Sequence, residues 1–597
     1  NPNAGAFQVF PYVPANNRFN PCNFISNPNG VDCRAAENMR RAALGLPGAL
    51  STGFILPVEP IFSIRGDRSN INVDQEQYRG VLGVKGDLPF ISPSWSFEVS
   101  GVYSRAKGTS NRRGIREDKL ALALGIDPTA DFDGDGVFDN DGDGIADDYQ
   151  ELPLGGVFGG PVITPCTGTL ANPSAAMPDL LDGCVEVNLL APSVLGTPIG
   201  DFATAAERNY VFGDRIFKTT YTQWLANAYA PGNLFKMPQG GEVGMVIGGG
   251  YREDKINSIP DDVAANGLLI AFFNDLGAVG KKNVKEAFAE LDIPILLGHP
   301  AAEELRVHVS GALTEDQFYG TNETYSVKLG WRPVEQVLLK MSYGTSFRAP
   351  NLRENFLRGQ SGFLTLVDPC AVPTAAFQPS PGSTVNAYQP SLETRDPATL
   401  ANCIREGRDP TRVGIDQQNL NTIQTTSTEI STGGTLDLDP EESTSFTTGA
   451  AFADRWGPLS LNLNFNYYNI QISGAITEPS SQFIINDCFT RQDNVRSPFC
   501  DRITFSDQAV NRFLISDIAG GFINFNKEQV RGIDLNGNIG YDLEFGGRTV
   551  ELGLNLQANK LIERTTTLLD ATGVLTTDED EGEFGFPKWT GRATFTA

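Results

Sequence analysis

The sequence predicts an all-β chain, folded as a transmembrane antiparallel up-and-down β-barrel with long loops on one side, and three observations predict it. Apolar and polar residues alternate over several stretches. The 597 residues include 63 Gly, 37 Phe and 15 Tyr, yet only 40% are hydrophobic, which suits strands with aromatic girdles better than an α/β enzyme. Tight turns alternate with very long connections, the layout of a barrel whose two rims face different compartments.

The strands come first. Between Ser94 and Ser104, Trp95, Phe97, Val99 and Tyr103 share one parity, and Ser96, Glu98 and Ser100 share the other. Side chains of a strand point alternately to opposite faces, so one face is apolar and the other polar. Leu459, Leu461, Leu463, Phe465 and Tyr467 alternate in the same way with Ser460, Asn462, Asn464 and Asn466. Val550, Leu552, Leu554 and Leu556 oppose Glu551, Asn555 and Gln557, with a shift of parity expected at Gly553. A water-soluble sandwich alternates too, and the connections separate the two.

Arg332 to Gln336 makes a tight turn between Tyr325 to Trp331 and Val337 to Tyr343. Further tight connections are expected near Gly86-Asp87, Arg455-Trp456-Gly457 and Phe545-Gly546-Gly547. Between the hairpins lie long irregular segments, residues 108–209, 254–282, 346–439 and 474–517. Structureless loops of this size are uncommon in a compact soluble domain. Val284 to Ile295 is ambiguous, because Lys285, Glu286, Ala287 and Glu290 are helix formers.

Several classes are excluded. No run of 18 apolar residues exists, so no transmembrane helix is available. A net charge of -26 repels nucleic acid. The eight cysteines fall as near neighbours, Cys22 with Cys33, Cys166 with Cys184, Cys370 with Cys403, and Cys488 with Cys500. They are expected to form four disulfides in exposed loops of an oxidising compartment. A metal site is the weaker alternative, since there is no Cys-x-x-Cys and only His299 and His308 supply imidazole. No nucleophilic triad, phosphate loop or zinc-protease motif is present, so the chain is not expected to be an enzyme. Arg65-Gly66-Asp67 is a tripeptide that chance often supplies and is not expected to be adhesive, and Asn322-Glu323-Thr324 fits a glycosylation acceptor that a bacterial chain would not use.

One segment carries explicit chemistry. Asp131, Asp133, Asp135 and Asp139 surround one glycine-bearing loop, and Asp139, Asp141, Asp143 and Asp147 a second sharing Asp139. Carboxylates at positions 1, 3 and 5 with Gly at 6 suit calcium, a hard cation that takes several oxygens around a sharp turn. Gly142 and Gln150 stand where an EF-hand has its bidentate Glu. The run resembles the calcium repeats of thrombospondin type 3, and a structural calcium that stiffens an extracellular loop is expected.

Tyr343-Gly344-Thr345-Ser346-Phe347-Arg348-Ala349-Pro350-Asn351-Leu352-Arg353-Glu354-Asn355 follows an alternating strand and resembles the barrel signature of TonB-dependent outer-membrane receptors. Pro440-Glu441-Glu442-Ser443, Tyr467-Tyr468-Asn469-Ile470 and Val530-Arg531-Gly532-Ile533-Asp534-Leu535 resemble other strands of that family. So does Val284 to Glu290, which the resemblance makes a strand paired with Leu305 to Thr314.

The resemblance implies a barrel of roughly 22 strands around a plug, of which about 15 are recognisable here. Neither a plug nor a closing strand with a terminal aromatic residue is recognised, so the chain reads as part of a barrel. Residues 1–75 read as an early segment with a disulfide, 76–597 as the barrel, and 109–208 as an inserted loop that includes 131–147. The implied function is energy-coupled import of a scarce small nutrient or oligomeric solute across the bacterial outer membrane, with membrane lipid and the TonB complex as partners. A passive porin-like channel and a calcium-stabilised adhesion barrel are the alternatives. Tyr343, Phe347, Arg348, Ala349, Pro350 and Asn351 are read as structural markers at the rim, and no residue names the substrate.

Overall fold

A computed structural model describes residues 7–9, 12–66, 70–131, 145–146, 162–379, 385–416, 421–506, 512–569 and 575–597. Its frame is one sheet of 14 strands. These are β1 (Asn72–Asp87), β2 (Ser96–Ile115), β3 (Phe212–Lys236), β4 (Glu242–Pro260), β5 (Ala278–His299), β6 (Ala302–Asp316) and β7 (Gly320–Val334). They continue as β8 (Val337–Arg348), β9 (Glu441–Trp456), β10 (Leu459–Thr477), β11 (Ile523–Phe545), β12 (Arg548–Leu569), β13 (Leu575–Glu579) and β14 (Trp589–Thr596).

Each strand from β1 to β11 pairs antiparallel with the next. β13 and β14 both pair with β12, one toward each end of it. Among the described strands, no ladder joins β1 to β14. No helix of the described residues is long and apolar enough to cross a membrane.

The registers turn the alternation of single strands into two continuous faces. Trp331 lies opposite Leu339, then Ala450, Phe465, Leu535 and Ala558 follow in one row across the sheet. One residue along, Gly330, Lys340, Gly449, Asn466, Asp534 and Asn559 form a row on the other face. Register is fixed because a slip of one residue would move every side chain to the wrong face. Trp331, Leu339, Phe465 and Leu535 remain 37% to 42% exposed, so the apolar face is not packed against protein.

Val284 to Ile295 lies within β5 and pairs with both β4 and β6. Pairing on both edges overrides the helical preference of its residues. At Gly553 the expected shift of parity does not occur. The β11–β12 register runs unbroken there and slips instead between Arg531 and Gly532. A Cβ at Gly532 would stand 2.2 Å from the Tyr468 hydroxyl and 2.9 Å from the Lys560 carbonyl oxygen, so only glycine fits beside the bulge.

The connections also differ from their sequence reading. Turns of two residues, 335–336, 457–458 and 546–547, close hairpins at one end, but 88–95 is longer than expected near Gly86-Asp87. At the opposite end the alternation of lengths is not strict, because residues 317–319 join β6 to β7 tightly. Both ends of 254–282 are strand, leaving 261–277 as the connection.

Candidate functional site

The long connections converge at one end of the sheet, where they fold into two modules with cores of their own. Long loops exposing many backbone groups are stable only when those groups are paired and apolar side chains are buried.

The first module combines residues 12–66 with the described residues of 116–211 and part of 261–277. Val13, Phe62 and Ile64 pack with Ile115, Leu120, Leu189, Val211, Phe212 and Ile270 in one buried cluster. The disulfides Cys22 to Cys33 and Cys166 to Cys184 pin its outer turns. Asp32 caps the helix Cys33–Ala43 by accepting from the Ala35 amide at 3.0 Å. Thr204 and Glu207 form a reciprocal capping box on the helix Ala205–Val211, satisfying amides that would otherwise be orphaned.

A charged knot lies inside this module. Arg116, 2% exposed, meets Asp118 at 2.5 Å and Asp179 at 3.2 Å, and Lys119 meets Asp179 at 2.8 Å. Burial of Arg116 opposes its charge, and the two carboxylates outweigh that and hold it protonated. Burial, with Asp118 beside it, pushes the neighbouring Glu117 carboxyl up to about 7.

The second module joins the described residues of 349–440 to those of 478–522. A small sheet orders the strands Gln360–Val367, Thr425–Thr432, Ile515–Ala519 and Ile503–Phe505. Its core contains Leu366, Val413, Ile484, Phe489, Leu514 and Ile518 together with Cys370, Cys403, Cys488 and Cys500. These cysteines form the bonds Cys370 to Cys403 and Cys488 to Cys500. They are 0% to 3% exposed, which corrects their placement in exposed loops. Sequence separation shows which cysteines are neighbours, not that both connections share one core.

Arg408 and Asp368, 4% and 1% exposed at their side chains, pair at 2.6 Å in this core. Arg408 also donates to the Phe513 carbonyl at 2.7 Å and lies over the rings of Phe489 and Phe505. Nearby, the Arg395 guanidinium holds the Glu393 carboxyl down at about 2.

The signature forms the seam between the sheet and the second module. Arg348 ends β8, and its guanidinium donates to both oxygens of Glu441 at 2.6 and 2.7 Å and to those of Glu354 at 2.9 and 3.1 Å. Asn351 accepts from the Arg353 and Glu354 amides while Glu354 accepts from the Asn351 amide at 2.6 Å, a reciprocal box on the short helix Leu352–Phe356. The Pro350 carbonyl accepts from Lys282 at 2.6 Å, and Lys282 meets Asp316 at 3.0 Å. The Tyr319 hydroxyl donates to Asn355 at 2.6 Å. Arg348 and Asn351 are thereby engaged by protein groups. The partners Lys282 and Asp316 were not singled out in the sequence, whereas Glu354 lies within the signature string and Glu441 in the Pro440-Glu441 string.

Residues 261–277 touch both modules. Leu268 and Ile270 are buried in the first, whereas Phe273 packs on Phe363 at 5.4 Å and Asp275 accepts from Gln360 at 2.7 Å in the second. Below the modules, the polar face is grooved. One cleft of about 580 Å³ is lined by Arg306, His308, Lys328, Lys340, Tyr468 and Asp534 among others.

The calcium residues Asp133, Asp135, Asp139, Asp141, Asp143 and Asp147 lie outside the described residues, and only Asp131 of the set lies within them. Among the described residues, no cluster of three or more His, Cys, Asp or Glu is arranged to hold a metal. Arg65 is built into the first module, its amide donating to Gly200 at 2.8 Å, and Asn322 sits within β7 opposite Thr314. His308 faces Glu290 at 3.5 Å across β5 and β6.

A family model described as TonB dependent receptor-like, beta-barrel, matches residues 48–597. No curated protein matches the chain. Solved structures similar to it include a variant of the ferric enterobactin receptor PfeA of Pseudomonas aeruginosa, at 11% identity over 83% of this chain and 47% of that one, TM-score 0.38. The siderophore receptor PirA of the same organism matches at 11% identity over 83% and 59%, TM-score 0.32. The hemophore receptor HasR of Serratia marcescens matches at 10% identity over 87% and 61%, TM-score 0.34. The chain spans about half the length of the first two of these.

Proposed function

Because this chain belongs to the TonB dependent receptor-like β-barrel family, we propose that it is the wall and outer rim of an outer-membrane receptor that imports a scarce nutrient by energy-coupled active transport. The observation that carries this reading is the sheet with one exposed apolar face and one polar face, crowned at a single end by two folded modules. Monomeric soluble proteins rarely expose an apolar patch beyond a few hundred Å², and here the apolar rows continue from β5 to β14.

The dimensions support lipid as the occupant of that face. Phe446, inside β9, and Trp456, at its end, share a face of the strand, and Trp456 stacks with Phe452 at 5.9 Å. Ten residues rise about 33 Å along a strand, or about 23 Å across a bilayer at the roughly 45° tilt of a spanning strand. That matches the apolar band of about 25 Å between aromatic girdles in outer-membrane barrels.

On this reading the two modules form the outer capture surface, the polar face lines the lumen, and the TonB complex supplies the energy through a plug. The folded modules favour a receptor over an open channel. In planar bilayers the full protein should give no steady ohmic conductance, whereas a large constant conductance would establish the passive channel instead. The residues Asp131 to Asp147 are proposed to bind structural calcium, supported by their spacing and by the mutual repulsion of crowded carboxylates without a counter-ion.

A further inference from the structure

Arg112 on β2 lies directly opposite Arg215 on β3. Their parity is that of Ser104 and Gln223, so both side chains start from the polar face, close to the end where β2 and β3 enter the first module. Like charges directly opposed across a ladder are destabilising, and in a chain of net charge -26 such a pair is not forced by composition.

The neighbouring carboxylates offset it only in part. Asp275 forms a long ion pair with Arg215 at 3.7 Å and is shared with the Gly277 amide at 2.9 Å and with Gln360 at 2.7 Å, from which it also accepts. Asp261 accepts from the Ala264 amide at 2.9 Å, capping a short turn of helix. The Nε of Arg215 is buried without a hydrogen-bond partner, and its side chain is 17% exposed. Phe272 lies 4.5 Å from the Arg112 guanidinium. A ring occupies the flat face of a guanidinium and leaves the in-plane N–H donors for an anion. A third guanidinium joins the edge, because Arg353 donates at 2.9 Å to the same Gln360 that bonds Asp275.

We infer that Arg112 and Arg215, bordered by Phe272 and the Asp275–Gln360–Arg353 edge, form a binding site for an anionic group of the captured solute, a carboxylate or a phosphate. Two planar forks on one face suit an anion with several oxygens. The inference rests on the reading of this end as the capture surface, and assigns to it a chemical class of solute. Residues 261–277, which carry Phe272 and Asp275 and touch both modules, would be the segment such an anion tightens.

The test uses the full protein in detergent, with inorganic phosphate and citrate titrated separately against chloride at constant ionic strength and constant free calcium while the unfolding temperature is read. Wild type should be stabilised by at least one of the two, phosphate alone marking a phosphate site and citrate alone a carboxylate site. R112Q and R215Q should each raise the half-saturating concentration by roughly tenfold or more, without lowering the anion-free unfolding temperature. R564Q, at an arginine paired with Asp580 on β12, should respond as wild type does. A wild type no more responsive than in chloride overturns the inference. So does an R215Q protein that is less stable without anion yet keeps the full response, because Arg215 would then be a structural brace. Should R215Q fail to fold, R112Q and R215K carry the same comparison. An anion-insensitive protein that still shows the expected bilayer behaviour overturns this inference and leaves the receptor reading standing.

Discussion

Arg348 meets Glu441 edge to edge, Nε to Oε2 at 2.6 Å and Nη2 to Oε1 at 2.7 Å, across 93 residues of sequence. The contact joins the end of β8 to the start of β9 beneath the second module. Its remaining edge holds Glu354, whose carboxylate also closes the helix box at Asn351, and Glu441 additionally accepts from the Ile476 amide at 2.7 Å on β10. One guanidinium therefore fixes two neighbouring strands and the exit of the loop.

Replacing Arg348 by Ala leaves two carboxylates facing each other, one of them 10% exposed and the other 15%. Because Arg348 itself is 43% exposed, solvent screening limits the cost, expected at about 1–3 kcal/mol. A double-mutant cycle of R348A with E441A should give a coupling near 1 kcal/mol in thermal unfolding, and R348K should fall short of wild type because a single ammonium cannot match two carboxylates. Additive effects would show that the pair does not brace the rim.

Asp368→Ala removes the partner of the buried Arg408 and leaves an uncompensated cation among Phe489 and Phe505. Breaking such a pair costs about 3–5 kcal/mol. The loss should be local, seen as rapid proteolysis or hydrogen exchange of residues 360–367 and 425–432, while the main sheet stays protected. Unchanged protection of the small sheet would contradict the independence of this module.

The first module should carry a pH dependence centred on Glu117. Its carboxyl is raised to about 7 by burial with Asp118 beside it, above the ordinary value of about 4.3. The folded form binds this proton more tightly than the unfolded form, so its stabilisation is complete below about pH 4 and is lost as pH rises through about 7. Amide exchange in the helix Glu117–Leu124 should accelerate over roughly one pH unit either side of that value. E117Q should flatten the profile, and an unaltered profile would assign the effect elsewhere. Glu393 runs the opposite way. Held at about 2 by Arg395, it contributes above its unfolded value and is lost only as pH falls toward about 2.

Much of the frame was legible because a strand writes its period into the sequence. Leu461, Leu463 and Phe465 stand on the apolar face that their alternation implies, and Val337, Leu339 and Met341 lead into the signature on β8. The modules were not legible, because their cores are assembled from residues remote in the chain. Nothing local to Val13 announces Phe212, and nothing local to Leu366 announces Ile518. The same holds for Arg112, whose meaning comes from its ladder partner Arg215 about a hundred residues away.

Calcium should stabilise the protein, and a chelator should lower its unfolding temperature. Aspartates without their cation repel one another, so D133N with D141N should abolish the chelator effect while reducing the repulsion in its absence. Terbium luminescence in the wild type, lost in the double variant, checks occupancy directly. Equal unfolding temperatures with calcium and with chelator would return the segment to a solvated acidic loop.

The face assignment is the central claim, and single cysteines along β10 test it most directly. All eight native cysteines are held in disulfides, so an introduced thiol is the one that reacts. Each position from 459 to 467 is replaced in turn, and the protein is labelled in intact outer membranes with a lipid-soluble and a water-soluble maleimide. The odd positions, Leu459 to Tyr467, should react only with the lipid-soluble reagent, and the even positions from Ser460 to Asn466 should show no such preference. A pattern without this period of two, or one with water reaching both faces equally, would contradict the barrel wall proposed here.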